Sequence, residues 1–391
     1  MPYDADSAFV FAFPTRVTYG AGAVSEASLE CDRLGMDRVV LVSDRILAGK
    51  TDVVAKVRQA LGRRVAAEFL DCPPDSSVAA VEAGAAVAQQ AGATGVVSVG
   101  GGSVIDTAKG MAILLREGGG LRDHEGFQNL TRKAAPHVVL PTTAGTGSEV
   151  TYVAVIKDTD AHRKLLFGDY NILPDAAVLD PLLTVGLPAH LTAATGMDAL
   201  SHALESLHSL QRQPIADGLA LHAIREVRAA LPTCVKTPGD VAARGRQLVA
   251  STIAGAAFSN AQVGLVHAIS HTVGARFGVH HGLANSIAMP AVVRYNALAC
   301  PDEYRRAASA FGVDPSGSDE ALADRLAAAI FQFAKSLGLP GGFRDVGVPR
   351  EALADLAEAT LFDGSVIYNA RPVTSTEEAL PVWEAAWAGE G

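Results

Sequence analysis

Residues 95–109 read GVVSVGGGSVIDTAK, an apolar run followed by three glycines and a segment with helical periodicity. The apolar run, residues 93–99, predicts a buried strand of a parallel sheet, and residues 107–115 predict a helix. Glycines between a strand and a helix let the backbone approach a ligand, and free N–H groups at the helix N-terminus face an anion. The stretch matches neither the dinucleotide fingerprint nor the P-loop. It therefore predicts a phosphate-binding loop, with a plain glycine turn as the alternative.

A second glycine-rich segment, PTTAGTGSE at residues 141–149, follows the apolar residues 137–140. Its hydroxyl groups and backbone amides suit a pyrophosphate or a ribose. We therefore predict that it binds a further part of the same ligand. A hydroxyl-rich turn without a ligand is the alternative interpretation.

Strand and helix patterns alternate through the first half of the chain, which predicts a parallel, doubly wound, Rossmann-like sheet. Predicted strands lie in residues 9–19, 38–42, 65–70, 95–99, 137–141 and 176–180, and predicted helices in residues 23–34, 51–61 and 77–91. From about residue 190 the segments are alanine-rich and helical. Because 391 residues are too many for one core, we predict an α/β domain at residues 1–183 and an all-helical domain at residues 184–391.

Four residues of the second domain have the side chains of a divalent-metal site: Asp198, His202, His267 and His281. Asp198 and His202 lie four apart in GMDALSHALE, so on a helix they share one face. One carboxylate with three imidazoles differs from the thiolate cage of structural zinc and from the oxygen cage of calcium or magnesium. If the four side chains converge, they predict a catalytic metal. Hydrogen-bonded histidines of the core are the alternative.

The chain has a specific resemblance, carried by four motifs in this order: GGGSVIDTAKG, PTTAGTGSEVT, GMDALSHALES and GLVHAISHTVGARFGVHHGLANS. In sequence and spacing they resemble the iron-containing (group III) alcohol dehydrogenase family, and the likeness extends from about Phe9 to Trp387. The family implies a dehydroquinate synthase-like fold. Its N-terminal α/β domain binds a nicotinamide cofactor, and its helical C-terminal domain holds the metal. Both termini also resemble maleylacetate reductases.

The resemblance implies roles for individual residues. It assigns the metal to the four residues named above, and it places His271 near the substrate as a residue that is not a ligand. Asp44, at the end of RVVLVS, would accept hydrogen bonds from a ribose and favour NAD over NADP, although capping of the next helix explains it equally well. Lys164 matches a lysine near the ribose, with an exposed strand lysine as the alternative. The predicted cofactor-binding set is Asp44, Gly100, Gly101, Gly102, Ser103, Asp106, Thr142, Thr143, Thr146, Ser148, Lys164 and Leu182.

The implied chemistry is hydride transfer between the nicotinamide and a small alcohol or aldehyde, with the metal as Lewis acid. A bound divalent metal lowers the pKa of an oxygen ligand from about 15.7 to about 7, and each unit is worth about 1.36 kcal/mol. His271 is the candidate proton relay, with a purely orienting role as the alternative. Nitrogen and oxygen donors suit Fe(II), which the family name favours, but Zn(II) and other divalent ions also bind such sites.

The formal net charge of −10, from 32 basic and 42 acidic residues, disfavours nucleic acid and anionic membranes as partners. Four cysteines without a CxxC pattern indicate free thiols in a reducing cytoplasm. The N-terminus lacks the pattern of a signal peptide, and no uninterrupted apolar run is long enough for a membrane span. We therefore expect a cytoplasmic protein, and the family implies a homodimer.

Three other functions are compatible with parts of the sequence. A maleylacetate reductase-like enzyme would reduce an oxo-acid, but those enzymes usually have asparagine at the position of Asp198. A dehydroquinate synthase-type lyase would share the fold and use NAD without net redox, but it needs a smaller ligand set and many basic residues. A non-catalytic nucleotide- or metal-binding protein would tolerate damaged motifs, whereas all four motifs are intact here.

Overall fold

The computed structural model describes residues 8–161 and 163–389, and these form two compact units. Ala12–Leu187 makes up the first, which we call the sheet unit. The residues from Pro188 onward make up the second, the helical unit, to which the described residues before Ala12 also belong.

The sheet unit contains strands and helices in alternation, as its bounds show. The strands are β1 Arg16–Tyr19, β2 Val39–Val42, β3 Val65–Phe69, β4 Gly95–Gly100, β5 Gly126–Phe127, β6 His137–Pro141, β7 Val153–Asp158, β8 Arg163–Gly168 and β9 Ala176–Leu179. The helices are α1 Glu26–Arg33, α2 Arg45–Lys50, α3 Val53–Leu61, α4 Val78–Gln90 and α5 Gly102–Glu117.

Six parallel strands form the main sheet, in the order β1–β9–β6–β4–β2–β3. Successive side chains of a strand point to opposite faces. Val40 and Val42 of β2 accordingly pack with α4 and α5 on one face. Val39 and Leu41 pack with α1 and α3 on the other. Burial on both faces explains why the strand sequences are continuously apolar, and the predicted Rossmann-like architecture is confirmed.

A smaller sheet, in the order β5–β8–β7, was not predicted. β7 and β8 form an antiparallel hairpin in which Ile156 pairs with Leu165. Buried and partly exposed residues alternate along β7, so the segment lacks the continuous apolar run that identified the strands of the main sheet. Lys164 lies on β8, in the partly exposed position opposite Lys157.

Three elements of the sheet unit differ from the prediction. α5 begins at Gly102 rather than at residue 107, because Gly101 is the last residue with an extended backbone. The glycine triplet therefore contains the start of the helix itself. α2 was missed; Asp44 caps it, and its six residues are too few for a periodic pattern. β1 occupies only the last four residues of the predicted segment 9–19.

The described part of the helical unit has no strand, which agrees with the predicted all-helical architecture. Its helices are α6 Ala189–His208, α7 Pro214–Lys236, α8 Val241–Ala261, α9 Leu265–Phe277, α10 His281–Ala297, α11 Pro301–Phe311, α12 Asp319–Ser336, α13 Leu353–Thr360 and α14 Thr376–Ala388.

No single helix of the described residues has both the length and the apolar composition to cross a bilayer. Only α8 and α9 taken together meet the length and composition test, and they are bent by 103° relative to one another.

Helix α6 lies at the centre of the helical unit, and every residue from 192 to 208 is buried. Apolar residues of α7, α8 and α10 belong to the same core cluster as those of α6. The helix nevertheless carries polar side chains inside this core. Ser201 and Ser206 satisfy their hydroxyl groups by donating to the carbonyl oxygens of Asp198 and His202, at 2.7 Å each. The remaining ionisable residues of α6 need partners from other helices.

Close packing of α10 against α6 depends on Gly282. A Cβ at this position would lie 2.4 Å from the carbonyl oxygen of Ala194 and 3.2 Å from Cβ of Asp198. Backbone atoms cannot move aside as the end of a flexible side chain can. Gly282 therefore permits the approach that brings the start of α10, with His281, next to α6.

We expect Gly282→Ala to lower the free energy of unfolding, because overpacking costs about 1–3 kcal/mol. Gly218→Ala is the matched control: Gly218 lies on α7 with no atom within 4 Å of the added Cβ. Removal of its backbone freedom should raise stability by about 0.5–1 kcal/mol. Urea unfolding of both chains measures the two effects. A Gly282→Ala chain as stable as the original would contradict the close packing.

Candidate active site

The residues predicted to bind a metal come from three helices of the helical unit. Asp198 and His202 lie one turn apart on α6, His267 lies in the first turn of α9, and His281 is the first residue of α10. Donor atoms of Asp198, His267 and His281 all lie within 4.8 Å of one another. The structure thus brings together residues that are up to 83 positions apart in the sequence.

One carboxylate oxygen is the centre of this cluster. Oδ1 of Asp198 lies 3.8 Å from Nε2 of His202, 3.9 Å from Nε2 of His267 and 3.6 Å from Nε2 of His281. Four donors around an ion at bond lengths of about 2.1 Å are separated by about 3.4 Å when they are tetrahedral. The three distances from Oδ1 of Asp198 are slightly larger than this value, whereas His202 is not one of the donors that all lie within 4.8 Å of one another.

The side-chain amide of Asn285 tests whether these donors fit a cation. Its Nδ2 lies 2.7 Å from Oδ1 of Asp198, 3.3 Å from Nε2 of His281 and 3.4 Å from Nε2 of His267. The NH₂ group of Asn285 therefore faces three acceptor atoms, and the lone pairs of these atoms are directed toward the same place. Lone pairs that converge in this way are what a divalent ion requires, so the residues fit such an ion.

The protonation states of the cluster also suit metal binding. Burial, and then the proximity of His202, holds the pKa of His267 well below its usual range, which leaves the imidazole neutral. Burial alone would raise the pKa of Asp198, but the three neighbouring histidines and the hydrogen bond from Asn285 together lower the pKa. A neutral imidazole and an ionised carboxylate are the forms that bind metals.

The other ring nitrogens of two histidines have hydrogen-bond partners. Nδ1 of His267 lies 2.5 Å from Oε2 of Glu205, and Nδ1 of His281 lies 2.8 Å from Oγ of Ser270. Ser270 also donates to the carbonyl oxygen of His281, so its oxygen is left to accept from Nδ1. In both residues the lone pair is then on Nε2, the atom that faces Asp198.

His202 is the fourth predicted ligand and lies at the edge of the cluster. Its ring stacks on Phe258, with 4.2 Å between ring centroids, and its buried Nδ1 has no hydrogen-bond partner in the described part of the chain. Phe258 therefore forms one wall of the site and restricts the rotation of His202.

His271 lies one turn after His267 and has a different partner. Its Nδ1 lies 2.9 Å from Oδ2 of Asp363, and its ring stacks on that of His281 at 5.4 Å. Burial opposes ionisation of Asp363, but the charge of His271 and its hydrogen bond lower the pKa of this carboxyl to about 2. An ionised carboxylate thus orients His271 and leaves its Nε2 free to exchange a proton.

The predicted cofactor loops lie against each other in the sheet unit. A Cβ at Gly101 would lie 3.0 Å from Cγ2 of Thr143, and one at Gly102 would lie 2.7 Å from Cγ2 of Thr146. The amide of Thr142 donates to the carbonyl oxygen of Gly100 at 3.0 Å. Glycine is needed at positions 101 and 102 because the second loop occupies the space of a side chain.

Several residues of the predicted cofactor set have contacts within the chain. Asp106 accepts from Oγ of Ser148 at 2.8 Å and from the amide of Val155 at 3.0 Å. Lys109, fully buried, donates to Oγ of Ser148 at 3.0 Å and to the carbonyl oxygens of Thr151 and Val153. Asp106 and Lys109 thus connect α5 to the end of the second loop. Direct contact between Asp106 and a cofactor stays a prediction. Lys109 was not among the predicted site residues.

The remaining members of the set lie around these loops or near strand ends. Asp44 accepts from the amide of Leu47 at 2.8 Å, so it caps α2, as the alternative interpretation expected. Ser103 donates to the carbonyl oxygen of Pro74. Lys164 forms an ion pair of 3.5 Å with Asp75. Leu182 follows β9 and is 42% exposed. Each of these side chains also remains a predicted cofactor contact.

Three residues that contact the carboxylate–histidine cluster or His271 were not predicted from the sequence: Glu205, Asn285 and Asp363. Glu205 lies seven residues after Asp198, so helical periodicity alone indicates that both lie on one face of α6. Asn285 follows His281 by four residues and carries the same signal. Asp363 lies 92 residues after its partner His271. No local pattern links that pair.

A parallel sheet with packed glycine loops and a carboxylate–histidine cluster on helices are features typical of metal-dependent enzymes that use a dinucleotide. Residues 14–181 match the iron-containing alcohol dehydrogenase family, and residues 192–387 match the C-terminal part of the Fe-containing alcohol dehydrogenase family. The chain belongs to this family, and it is an oxidoreductase that acts on alcohols or aldehydes. The predicted resemblance is confirmed.

Individual relatives match nearly the whole chain. The NAD-dependent methanol dehydrogenase of Bacillus methanolicus is 36% identical over 367 residues, which is 93% of this chain and 96% of that protein. The crystal structure of 1,3-propanediol oxidoreductase has 34% identity and a TM-score of 0.94, with 97% of this chain and 100% of the other covered. Maleylacetate reductase from Agrobacterium tumefaciens has 27% identity and a TM-score of 0.83, with 98% and 99% covered.

Asp198→Asn should abolish stoichiometric binding of Zn(II) to the metal-stripped chain, since it removes the single negative charge among the four ligands and leaves the shape unchanged. Asp324→Asn is the control: its carboxylate is 71% exposed and pairs with Arg294 at the surface. Isothermal titration with Zn(II) alone measures both. Retention of one tightly bound ion per Asp198→Asn chain would refute the ligand assignment.

Proposed function

We propose that this chain is a metal-dependent, NAD-linked alcohol dehydrogenase and aldehyde reductase whose metal ligands are Asp198, His202, His267 and His281. The observation that carries the proposal is the convergence of lone pairs around Asp198 in the helical unit. The family implies a metal and NAD(P) for the reaction. When bound, the ion supplies Lewis-acid catalysis at the substrate oxygen and the nicotinamide exchanges a hydride.

The residues of the chain have separate tasks in this proposal. Asp198 lowers the net charge of the ion, and Phe258 excludes water from one side of the cluster. His271 moves the proton: Asp363 holds its Nδ1–H, and its Nε2 accepts the proton of the alcohol during oxidation or returns it to the alkoxide during reduction. The glycine loops bind the phosphates of the dinucleotide through backbone N–H groups at the start of α5.

We favour NAD over NADP and Fe(II) over other ions. Asp44 follows β2, where a carboxylate repels a 2′-phosphate, and the methanol dehydrogenase relative is named as NAD-dependent. The donor set of three nitrogens and one oxygen suits Fe(II), with Zn(II) as the next candidate. The family name also supports iron.

Reduction of an oxo-acid is the second candidate for the substrate class. The similarity to a maleylacetate reductase structure over 98% of the chain supports it. The aspartate at position 198 argues for the alcohol and aldehyde class instead. Membership of an oxidoreductase family disfavours a non-catalytic binding protein.

We further propose a homodimer in the cytoplasm. β1 is an edge strand that pairs only with β9 in the described sheet, and its Val17 and Tyr19 are 37% and 53% exposed. An edge strand with exposed apolar side chains is typical of pairing with another chain. The four cysteines are free, which suits a reducing compartment.

Metal-stripped protein should reduce short aldehydes with NADH only after Fe(II) or Zn(II) is restored. NADH absorbance should be followed with a panel of primary alcohols, diols, aldehydes and oxo-acids. Aldehyde-dependent oxidation that requires the ion supports the proposal, and preference for an oxo-acid supports the second candidate. If NADH absorbance shows no metal-dependent change with any of these compounds, both candidate functions are refuted.

His271→Ala should lower kcat by about 100-fold, because general acid–base catalysis contributes at least that much. Its metal content should stay unchanged, since His271 is not one of the proposed ligands. Steady-state kinetics and metal analysis of the purified chain measure the two quantities. Loss of metal would reassign His271 to the ligand set, and an unchanged kcat would leave it a purely orienting residue.

A further inference from the structure

Glu205 is a fully buried carboxylate on α6, the helix that carries two of the proposed metal ligands. It lies three residues after His202 and seven after Asp198, so all three share one face of the helix. The mechanism proposed above does not use it. A carboxylate in an apolar core persists only if other groups satisfy both of its oxygens, and these groups belong to Gly264 and to the first turn of α9.

The two oxygens of Glu205 have different partners. Oε1 accepts from the amide of Val266 at 2.7 Å, and the amide of Gly264 also donates to this carboxylate. Oε2 lies 2.5 Å from Nδ1 of His267. The first N–H groups of a helix have no partner within the helix. Glu205 therefore caps α9 and contacts its histidine at the same time, which leaves that ring little freedom to turn.

We propose that Glu205 is a positioning residue for the metal: it holds the proton of His267 on Nδ1, so that the Nε2 lone pair points at Asp198. This inference rests on the proposed metal site. An imidazole rotated about its Cβ–Cγ bond, or protonated on Nε2, directs an N–H instead of a lone pair at the ion. Carboxylates that accept from the remote nitrogen of a metal-bound histidine fix its tautomer and its orientation.

The chemistry of an amide makes Glu205→Gln a sharp test. A carboxylate has two acceptor oxygens, and Val266 and His267 require one each. Glutamine has one acceptor and one donor. If its oxygen accepts from Val266, its NH₂ group faces Nδ1, and His267 must move its proton to Nε2. If its oxygen accepts from His267, the NH₂ group faces the amide of Val266 and the cap is lost.

The experiment titrates Zn(II) into metal-stripped full-length protein and its Glu205→Gln variant. We expect the dissociation constant to rise by about 10–100-fold, the range for loss of such a partner. Glu226→Gln is the matched control, because Glu226 on α7 pairs with Arg246 and the change removes the same charge. The control should bind Zn(II) as the unchanged chain does. Equal affinity in all three chains would overturn the role of Glu205.

A spectroscopic measurement separates positioning from a purely structural role. The ¹⁵N chemical shifts of His267, assigned by their loss in His267→Asn, report which nitrogen carries the proton. The unchanged chain should show Nδ1–H with and without Zn(II), and Glu205→Gln should shift the metal-free ring toward Nε2–H. A proton on Nε2 in the unchanged chain would overturn the proposal without any variant. So would a lower melting temperature in Glu205→Gln with unchanged shifts and affinity.

The two proposals fail in different ways. If the unchanged chain binds no divalent ion, the proposed metal site itself is wrong, and the inference about Glu205 falls with it. If the unchanged chain binds Zn(II) tightly and Glu205→Gln binds it equally well, the metal site stands and only the positioning role is refuted.

Discussion

The burial of two acidic side chains inside α6 is the constraint on which the helical unit depends. Asp198 and Glu205 are both inaccessible to solvent in an apolar core, and an isolated carboxylate there is costly. Each is compensated by groups that arrive from other helices: the amide of Asn285 at Asp198, and the N-terminus of α9 at Glu205. The hydrogen bonds that compensate these buried carboxyl groups also position Asp198 and His267 of the proposed metal site. The same contacts therefore contribute to the stability of the helical unit and to its proposed function.

The sheet unit also buries an ionisable side chain, in this case a basic one. Lys109 is buried in α5, and burial lowers its pKa to about 8, against the effect of Asp106. Its ammonium group donates to oxygens of Ser148, Thr151 and Val153, so a single side chain ties the second glycine loop to the helix that follows the first. A fixed loop loses little entropy when it binds a ligand.

Much of the fold could be predicted from local patterns, because continuous apolar runs mark strands covered on both faces. The Asp198–His202 spacing likewise indicated a common helix face. The hairpin of β7 and β8 was not predicted because its strands are only half buried. Asp363 escaped because its contact with His271 spans 92 residues. Glu205 lies within the motif GMDALSHALES. Its proposed positioning role, however, depends on contact with the N-terminus of α9, which only tertiary packing brings close. Local periodicity specifies faces, and tertiary packing specifies partners.

The dipeptide His281–Gly282 joins two constraints that are independent in origin. The histidine is a proposed metal ligand, whereas the glycine admits the carbonyl oxygen of Ala194 at a distance that no side chain allows. Selection on the glycine therefore acts through folding and persists in any descendant that abandons the metal. The two positions should therefore change independently in evolution. In a descendant that no longer binds the metal, the histidine is replaced and the glycine remains. A retained glycine is thus a record of helix packing and carries no information about catalysis.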